Sequence, residues 1–487
     1  MPHSSHLKVH LSSSEASPAI EGEPERIFSD ATARESTQHA VYSRWSWDGK
    51  TAALESDYSG FMPLFYYATG TDFIVSNSLL TLIEKGAETT LDQTALTVFA
   101  RCGFFLGEST PFKSIKLAGP GARVTWKAGQ LQTSRNIESI AAISRSHEEI
   151  AEGYAHFARQ AIRRRLPESA PFTLLLTGGR DSRQILFELL DANCRPDACL
   201  TGGESRDLAA ARALAEAFNL PLQTVSAPLY WKDAFTRKNE RSGFCTLEHG
   251  WLSNVSNQLE RINQLTYDGT GVGVLTRSEL LAPEYTQDYE KGLYEDVAIR
   301  LIRSIGGEKG LYQNISEPFD FLANSEDEAV AAISEELKTF RGFANPMTAF
   351  GFWNWNRRGI AQWPFALANR SATVNVPLLD LDLYRFVASI DAQAISEQEP
   401  QEAALHYRFP QHRDLPFYND FAHDPKSQRK TLANRVANTW QRLLFNVSHS
   451  KARSPAALPS SVSASNRNRA HHLNLDQYLQ QLAEQVN

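Results

Sequence analysis

The chain has 487 residues, 42% of them hydrophobic, which is more than one ordinary core accommodates and implies two domains. Its 49 basic and 56 acidic side chains give a formal net charge of -7, and the basic residues are scattered, which excludes a nucleic-acid partner on electrostatic grounds. Met1-Pro2-His3-Ser4-Ser5-His6 lacks the basic-then-apolar order of a signal peptide, and no run of about 20 apolar residues follows, so a cytoplasmic protein with no membrane partner is expected.

Residues 1–38 are rich in Ser, Glu, Ala and Pro, and are expected to be a flexible tail that buries too little surface to offset its ordering entropy. From Tyr42 the texture changes to short apolar and aromatic runs broken by turn signals. Arg44-Trp45-Ser46-Trp47, then Asp48-Gly49, then Thr51 to Leu54 predicts a hairpin in an antiparallel sheet. Past Asn136, Ser146-His147-Glu148-Glu149 forms a capping-box pattern, and Ile150, Tyr154, Phe157 and Ala161 recur at helical spacing. Phe172 to Leu176 is a continuous apolar run of the kind a buried parallel strand shows, followed by a Gly-containing loop and a helix carrying Ile185, Leu186 and Leu189. Asp197 to Thr201 reads as the next strand, and Leu208, Ala211, Ala215 and Phe218 mark a helix ended by Asn219-Leu220-Pro221. Strand and helix alternating in this way predict a parallel sheet wound by crossovers, with ligands at the carboxyl ends of its strands. Residues 285–440 read as mainly helical, with an aromatic-rich core segment from Phe350 to Trp363, and residues 451–487 as a linker and a C-terminal helix.

The segment Thr177-Gly178-Gly179-Arg180-Asp181-Ser182 lies at such a strand end. Its two glycines let backbone amides approach an anion, the following helix adds its positive end, Thr177 and Ser182 supply hydroxyls, and Asp181 can hold magnesium. The segment resembles the S-G-G-x-D-S pyrophosphate loop of N-type ATP pyrophosphatases, with threonine replacing the first serine. A second resemblance precedes it: Asp57, Gly60, Pro63-Leu64-Phe65-Tyr66-Tyr67, Ser76-Asn77-Ser78, Leu91-Asp92, Phe99, Gly103-Phe104, Thr110, Phe112, Ile115 and Pro120-Gly121 follow the order of the asparagine synthetase glutaminase domain. Pro377-Leu378-Leu379-Asp380 is similar to the P-F-L-D element of the synthetase domain. The resemblance covers about residues 40–440.

It implies an α/β chain: an N-terminal antiparallel β-rich amidotransferase-like domain over 39–140, then a parallel-sheet ATP pyrophosphatase (adenine nucleotide α-hydrolase-like) synthetase domain with added helices over 141–450. It implies ATP and Mg2+ as cofactors, with Thr177, Gly178, Gly179, Arg180, Asp181, Ser182, Gly269 and Gly271 around the nucleotide. Asp181 and Asp268 are the candidate metal ligands, and Lys430, ahead of Lys426, is the candidate catalytic cation that neutralises departing pyrophosphate.

The chain departs from the family at two places. Pro2 stands where the nucleophilic cysteine belongs, and Cys102, the only cysteine in that region, has no base beside it, so no glutaminase activity is expected. The four cysteines show neither a C-x-x-C pair nor zinc-ligand spacing and read as reduced thiols. Asp268-Gly269-Thr270-Gly271-Val272-Gly273-Val274 matches the family's G-x-G-x-D-E segment without its acids. Either Asp268 or Asp181 alone must then serve the metal. The resemblance implies an ATP-dependent ligase joining a small-molecule or peptide carboxylate to an amine or ammonia, as in the cysteine-lacking β-lactam synthetases and lasso-peptide cyclases; a homodimer is compatible with it. The alternative is a nucleotide-binding or partner-binding protein that keeps the fold without the reaction. Specificity is expected to come from residues 226–265 and 340–376, which would cover the strand ends.

Overall fold

The computed structural model describes residues 5–12, 17–30, 39–167, 171–202, 205–228, 231–277, 279–306, 318–368, 373–421, 475 and 477–486. Ten strands occupy the first part: β1 (His6–His10), β2 (Ala19–Gly22), β3 (Glu25–Ser29), β4 (Tyr42–Trp47), β5 (Thr51–Ser56), β6 (Phe65–Ala68), β7 (Asp72–Ser76), β8 (Ile115–Leu117), β9 (Ala122–Lys127) and β10 (Gln130–Arg135). They form two antiparallel sheets, ordered β2-β1-β7-β6-β8 and β10-β9-β5-β4-β3. Inward residues of both sheets, among them Leu7, Trp45, Leu54, Phe73, Val124 and Trp126, share one core.

Over residues 5–12 and 17–30 the expected flexible tail is corrected by this arrangement. In β1 the alternation of His6, Leu7, Lys8, Val9 and His10 puts Leu7 and Val9 fully inside, and the strand pairs with both β2 and β7. β3 pairs with β4. Just beyond β3, Asp30 is buried; it accepts the Val41 amide at 3.1 Å and the Arg165 Nε at 2.6 Å. Arg165, itself fully buried, also donates to Asp380 at 3.0 Å and to the His39 carbonyl. Arg164 donates to Asp380 and Asp382, each at 2.7 Å. His39, Asp380 and Asp382 cluster closely enough to suggest a metal site, but the two guanidinium groups already answer their charge.

The hairpin predicted at Asp48-Gly49 forms: Asp48 Oδ1 accepts the Lys50 and Thr51 amides, and Gly49 takes a φ of 91°. Gly60 and Pro120-Gly121, distant in sequence, meet in space. A Cβ on Gly60, at a φ of 58°, would lie 2.8 Å from the Pro120 backbone, and the Gly121 amide donates to the Asp57 carbonyl. Two short helices, α1 (Leu79–Glu84) and α2 (Gln93–Cys102), pack beside the first sheet with Phe99 and Phe105 stacked at 4.4 Å.

The helix α3 (His147–Arg163) begins with the expected capping box, Ser146 and Glu149 bonding reciprocally. There follow β11 (Phe172–Leu175), α4 (Arg180–Asp191), β12 (Ala198–Gly202), α5 (Ser205–Ala217), β13 (Leu222–Val225), β14 (Leu265–Tyr267) and β15 (Val374–Asn375). These five strands form one parallel sheet, ordered β13-β12-β11-β14-β15. The protein is thus a mixed α/β fold with antiparallel sheets and a parallel sheet. β11 is its central strand and buried throughout, which is why its sequence is a continuous apolar run.

The aromatic-rich segment forms a widened helix, Gly351–Ile360, in which the Ala361 amide reaches the Asn356 carbonyl five residues back. Its Arg357 and Arg358 are buried and spend their donors on backbone carbonyls of the β-sandwich: Gly60, Gly107 and Ala118 for the first, Leu106, Gly107 and Ser109 for the second. Residues 477–486 are helical, and Tyr478 is buried between Phe99 and Phe244. No helix among the described residues is long and apolar enough to cross a membrane.

One buried charge yields a pH prediction. Lys238, on the helix Trp231–Arg241, is 1% exposed and donates to Asn239 Oδ1 and the Thr246 carbonyl, and burial pushes its ammonium down to about 7. Between that value and the ordinary lysine range of about 10.4, the unfolded chain binds a proton that the native chain lacks, so this group makes stability rise with pH across the window. Lys238→Met should flatten that rise, as read by urea unfolding at pH 7, 8.5 and 10. An unchanged slope would mean that the group stays charged inside.

Candidate nucleotide site

β11 ends at Leu175, and the Leu176 amide still bonds to the Leu200 carbonyl of β12, so the chain leaves the sheet at its carboxyl edge. The loop then closes on itself. Ser182 Oγ accepts the Thr177 amide at 3.1 Å, the two hydroxyls lie 3.2 Å apart, and Thr177 Oγ1 accepts the Gly179 amide at 3.2 Å. Gly179 is the N-cap of α4 and no side chain caps that helix, so its first-turn amides face outward with the positive end of the dipole.

Thr177, Asp181 and Ser182 line a cavity of about 450 Å³ over the ends of β11, β12 and β14. Gly269 and Gly271 line it too, and both must lack a side chain. A Cβ on Gly269 would stand 2.9 Å from Asp181 Cβ and 3.2 Å from the Ser182 amide nitrogen; on Gly271 it would stand 2.3 Å from Leu378 Cβ. The Gly-Thr-Gly turn is therefore wedged between the loop and the segment Pro377–Leu379, and Asn356 props it by donating to the Gly271 carbonyl at 2.9 Å.

Other expected site residues are placed differently. Gly178 and Gly179 belong to the loop but do not line the cavity. Arg180 is turned away from it: its guanidinium bonds Glu402, lies 3.4 Å from Glu399 and sits over the Phe417 ring. Two carboxylates at the start of the helix Pro400–Arg408 hold that cation, and Arg180, expected beside the pyrophosphate, does not line the cavity. Asp268 lines the cavity yet is buried, with Oδ1 accepting the Thr270 amide at 2.7 Å and Oδ2 the Trp363 indole at 2.9 Å. Burial raises its carboxyl above the ordinary range, and the neighbouring Asp181 charge adds to this. Each oxygen of Asp268 thus accepts one protein donor, which fixes the carboxylate and shapes the turn. Lys426 and Lys430 lie outside the described residues.

All four cysteines have thiols raised by burial, Cys102 and Cys199 to about 12, so none is a thiolate near neutral pH.

Both segments expected to cover the strand ends do so, Trp251, Leu252 and Val255 from the first, Trp355, Asn356 and Ile360 from the second. The sequence did not single out Thr201. It is the penultimate residue of β12, lines the cavity and is 2% exposed, and its hydroxyl finds no hydrogen-bond partner among the described residues. An unsatisfied buried hydroxyl costs about 1–3 kcal/mol. Thr201→Val should therefore leave the ligand-free protein as stable or about 1 kcal/mol more stable, while reducing the stabilisation that Mg-ATP confers. Thermal unfolding with and without nucleotide measures both, and equal nucleotide stabilisation in the variant would show that the hydroxyl serves no ligand.

No known protein-family model matches the sequence. No curated protein matches it either. Solved structures that match include an allosteric regulatory enzyme of purine biosynthesis, at 12% identity and a TM-score of 0.15 over 38% of this chain and 32% of that one. Another is glutamine phosphoribosylpyrophosphate amidotransferase from B. subtilis complexed with ADP and GMP, at 12% identity and a TM-score of 0.14 over 49% of this chain and 44% of that one. The chain thus spans less than half of either, and likeness at these scores supports no conclusion about chemistry.

Proposed function

We propose that the chain is an ATP-dependent amide-forming ligase of the asparagine synthetase-like kind, with no glutaminase activity of its own. The observation that carries this reading is the Thr177–Ser182 loop at the carboxyl end of the central strand, with Asp181 on the wall of a ligand-sized cavity and Gly269 backed against it. Magnesium takes one or two protein carboxylates and completes its shell with phosphate oxygens and waters, so the donor set here suits a magnesium nucleotide through Asp181.

In this reading a substrate carboxylate oxygen attacks the α-phosphorus of ATP, the bond from that phosphorus to the bridging oxygen breaks, and pyrophosphate leaves. An amine or ammonia then attacks the acyl carbon, expelling AMP and losing a proton. In this reading the positive end of α4 and the hydroxyls of Thr177 and Ser182 hold the departing pyrophosphate. Asp181 supplies the metal-binding charge, and Gly269 keeps the approach to the loop open. The raised thiols of all four cysteines favour nitrogen arriving as a free amine or ammonia.

A second reading, a nucleotide-binding protein without turnover, draws support from Gly273 and Val274, which line the cavity without an acid, and from the prior engagement of Asp268. Pyrophosphate release from Mg-ATP across a panel of carboxylic acids separates the two. Nucleotide-induced stabilisation with no release for any acid would leave only the second.

A further inference from the structure

We infer that the acid taken by this cavity has an apolar, aromatic body and carries no second charge. The inference rests on the ligase reading of the site and names its substrate class.

The first observation is the charge of the wall. The charged side chains among the described residues lining the cavity are Asp181 and Asp268, both acidic. The neighbouring cations on α4 are committed elsewhere: Arg180 to Glu402 and Glu399, and Arg183 to the Leu415 and Pro416 carbonyls with its guanidinium 3.8 Å from the Phe417 ring centre. A dicarboxylic or free amino acid keeps a second carboxylate after the first is activated. Here that carboxylate would meet no cationic side chain on the described wall, and burying a charge without a partner is costly.

The second observation is the surface that is offered instead. Trp251 and Trp355 both line the cavity and are 42% and 43% exposed, whereas Trp363, which also lines it, is 6% exposed and Trp353 is 3% exposed in the core. Leu252, Val255, Val274 and Ile360 extend the same apolar wall. Two indole rings left open in a concave site present flat faces that an aryl or other planar apolar group covers well. The Gly273-Val274 pair contributes no polar atom beyond backbone, so the wall that lacks a metal-binding acid is also the wall that accepts an uncharged body.

The test uses the full chain and two readouts. Quenching of tryptophan fluorescence by 3-phenylpropionate, 4-hydroxybenzoate and L-aspartate measures binding without nucleotide, and pyrophosphate release with Mg-ATP measures activation. The aryl acids are expected to quench and to raise release at least tenfold over L-aspartate at equal concentration. Trp355→Ala should raise the KM for the aryl acid about tenfold with little change in kcat, and Trp355→Phe should restore most of it. Aryl-acid binding without release would uphold the occupant and overturn the ligase reading. Release driven by L-aspartate in preference to the aryl acids would uphold the ligase reading and overturn the occupant. A KM unmoved in Trp355→Ala and in the matching Trp251→Ala would overturn it as well.

Discussion

Asp181→Asn is expected to reduce ATP-dependent pyrophosphate release by on the order of a hundredfold or more while leaving the fold intact. The change keeps the size of the side chain and removes its charge. Asp181 sits in the first turn of α4, where loss of a negative charge costs at most about 1 kcal/mol of helix stability, so a folding defect is not expected. The catalytic loss is larger because the described wall carries one other acid, Asp268, which Thr270 and Trp363 already hold in place, while Gly273 and Val274 carry none. Without the Asp181 charge, a magnesium nucleotide should dock poorly against the loop. Thermal unfolding with and without Mg-ATP checks this, since a ligand at a hundred times its Kd adds about 2.7 kcal/mol to the parent protein and should add little to the variant. Retained stabilisation together with retained release would move the metal-binding role to Asp268.

The largest expected effect on stability lies at Arg165. Arg165→Met should destabilise the chain by about 3–5 kcal/mol, because it strands the buried Asp30 carboxylate and takes from Asp380 one of the two guanidinium groups that hold it. The sign of the pH dependence provides a control. Burial already holds the Asp30 carboxyl above its ordinary range, with Arg165 as the chief opposing influence. In the variant that opposition is gone, so Asp30 should titrate higher still, and its charged form should cost most above that pKa. The deficit relative to the parent should therefore shrink as pH falls towards 4. Chemical unfolding of both proteins at pH 7.5, 6 and 4.5 measures the gap, and a pH-independent deficit would point to lost packing instead.

What the sequence disclosed follows from range. β11, its loop and α4 are contiguous, and each carries a local signal: an apolar run, a glycine pair, and an apolar face at helical spacing. The capping box at Ser146 and the Asp48-Gly49 turn are likewise complete within four residues. The N-terminal strands were hidden because β1 contributes a five-residue alternation within a segment whose average composition is polar. β2 and β3 are exposed edge strands with little apolar content to betray them. The fate of Arg180 was illegible for another reason: its partner Glu402 stands 222 positions away, and only the packing of the helix Pro400–Arg408 brings the two together. Thr201 becomes part of the site only because β12 lies beside β11, an adjacency that pairing sets and composition does not record.

The helix Gly351–Ile360 presents Trp355, Asn356 and Ile360 to the cavity, and its Arg357 and Arg358 grip backbone carbonyls of the β-sandwich. Those carbonyls are offered by main chain, so drift of the sandwich sequence does not erase them as long as its loops keep their path. With its neighbour's cavity wall hung from its loops, the sandwich is tied to that cavity through main chain, whatever its own side chains do. Truncation of the sandwich to isolate the parallel-sheet half should accordingly yield a chain whose Trp355 wall is no longer held, and minimised versions of this protein would have to keep the β-strands as a keel.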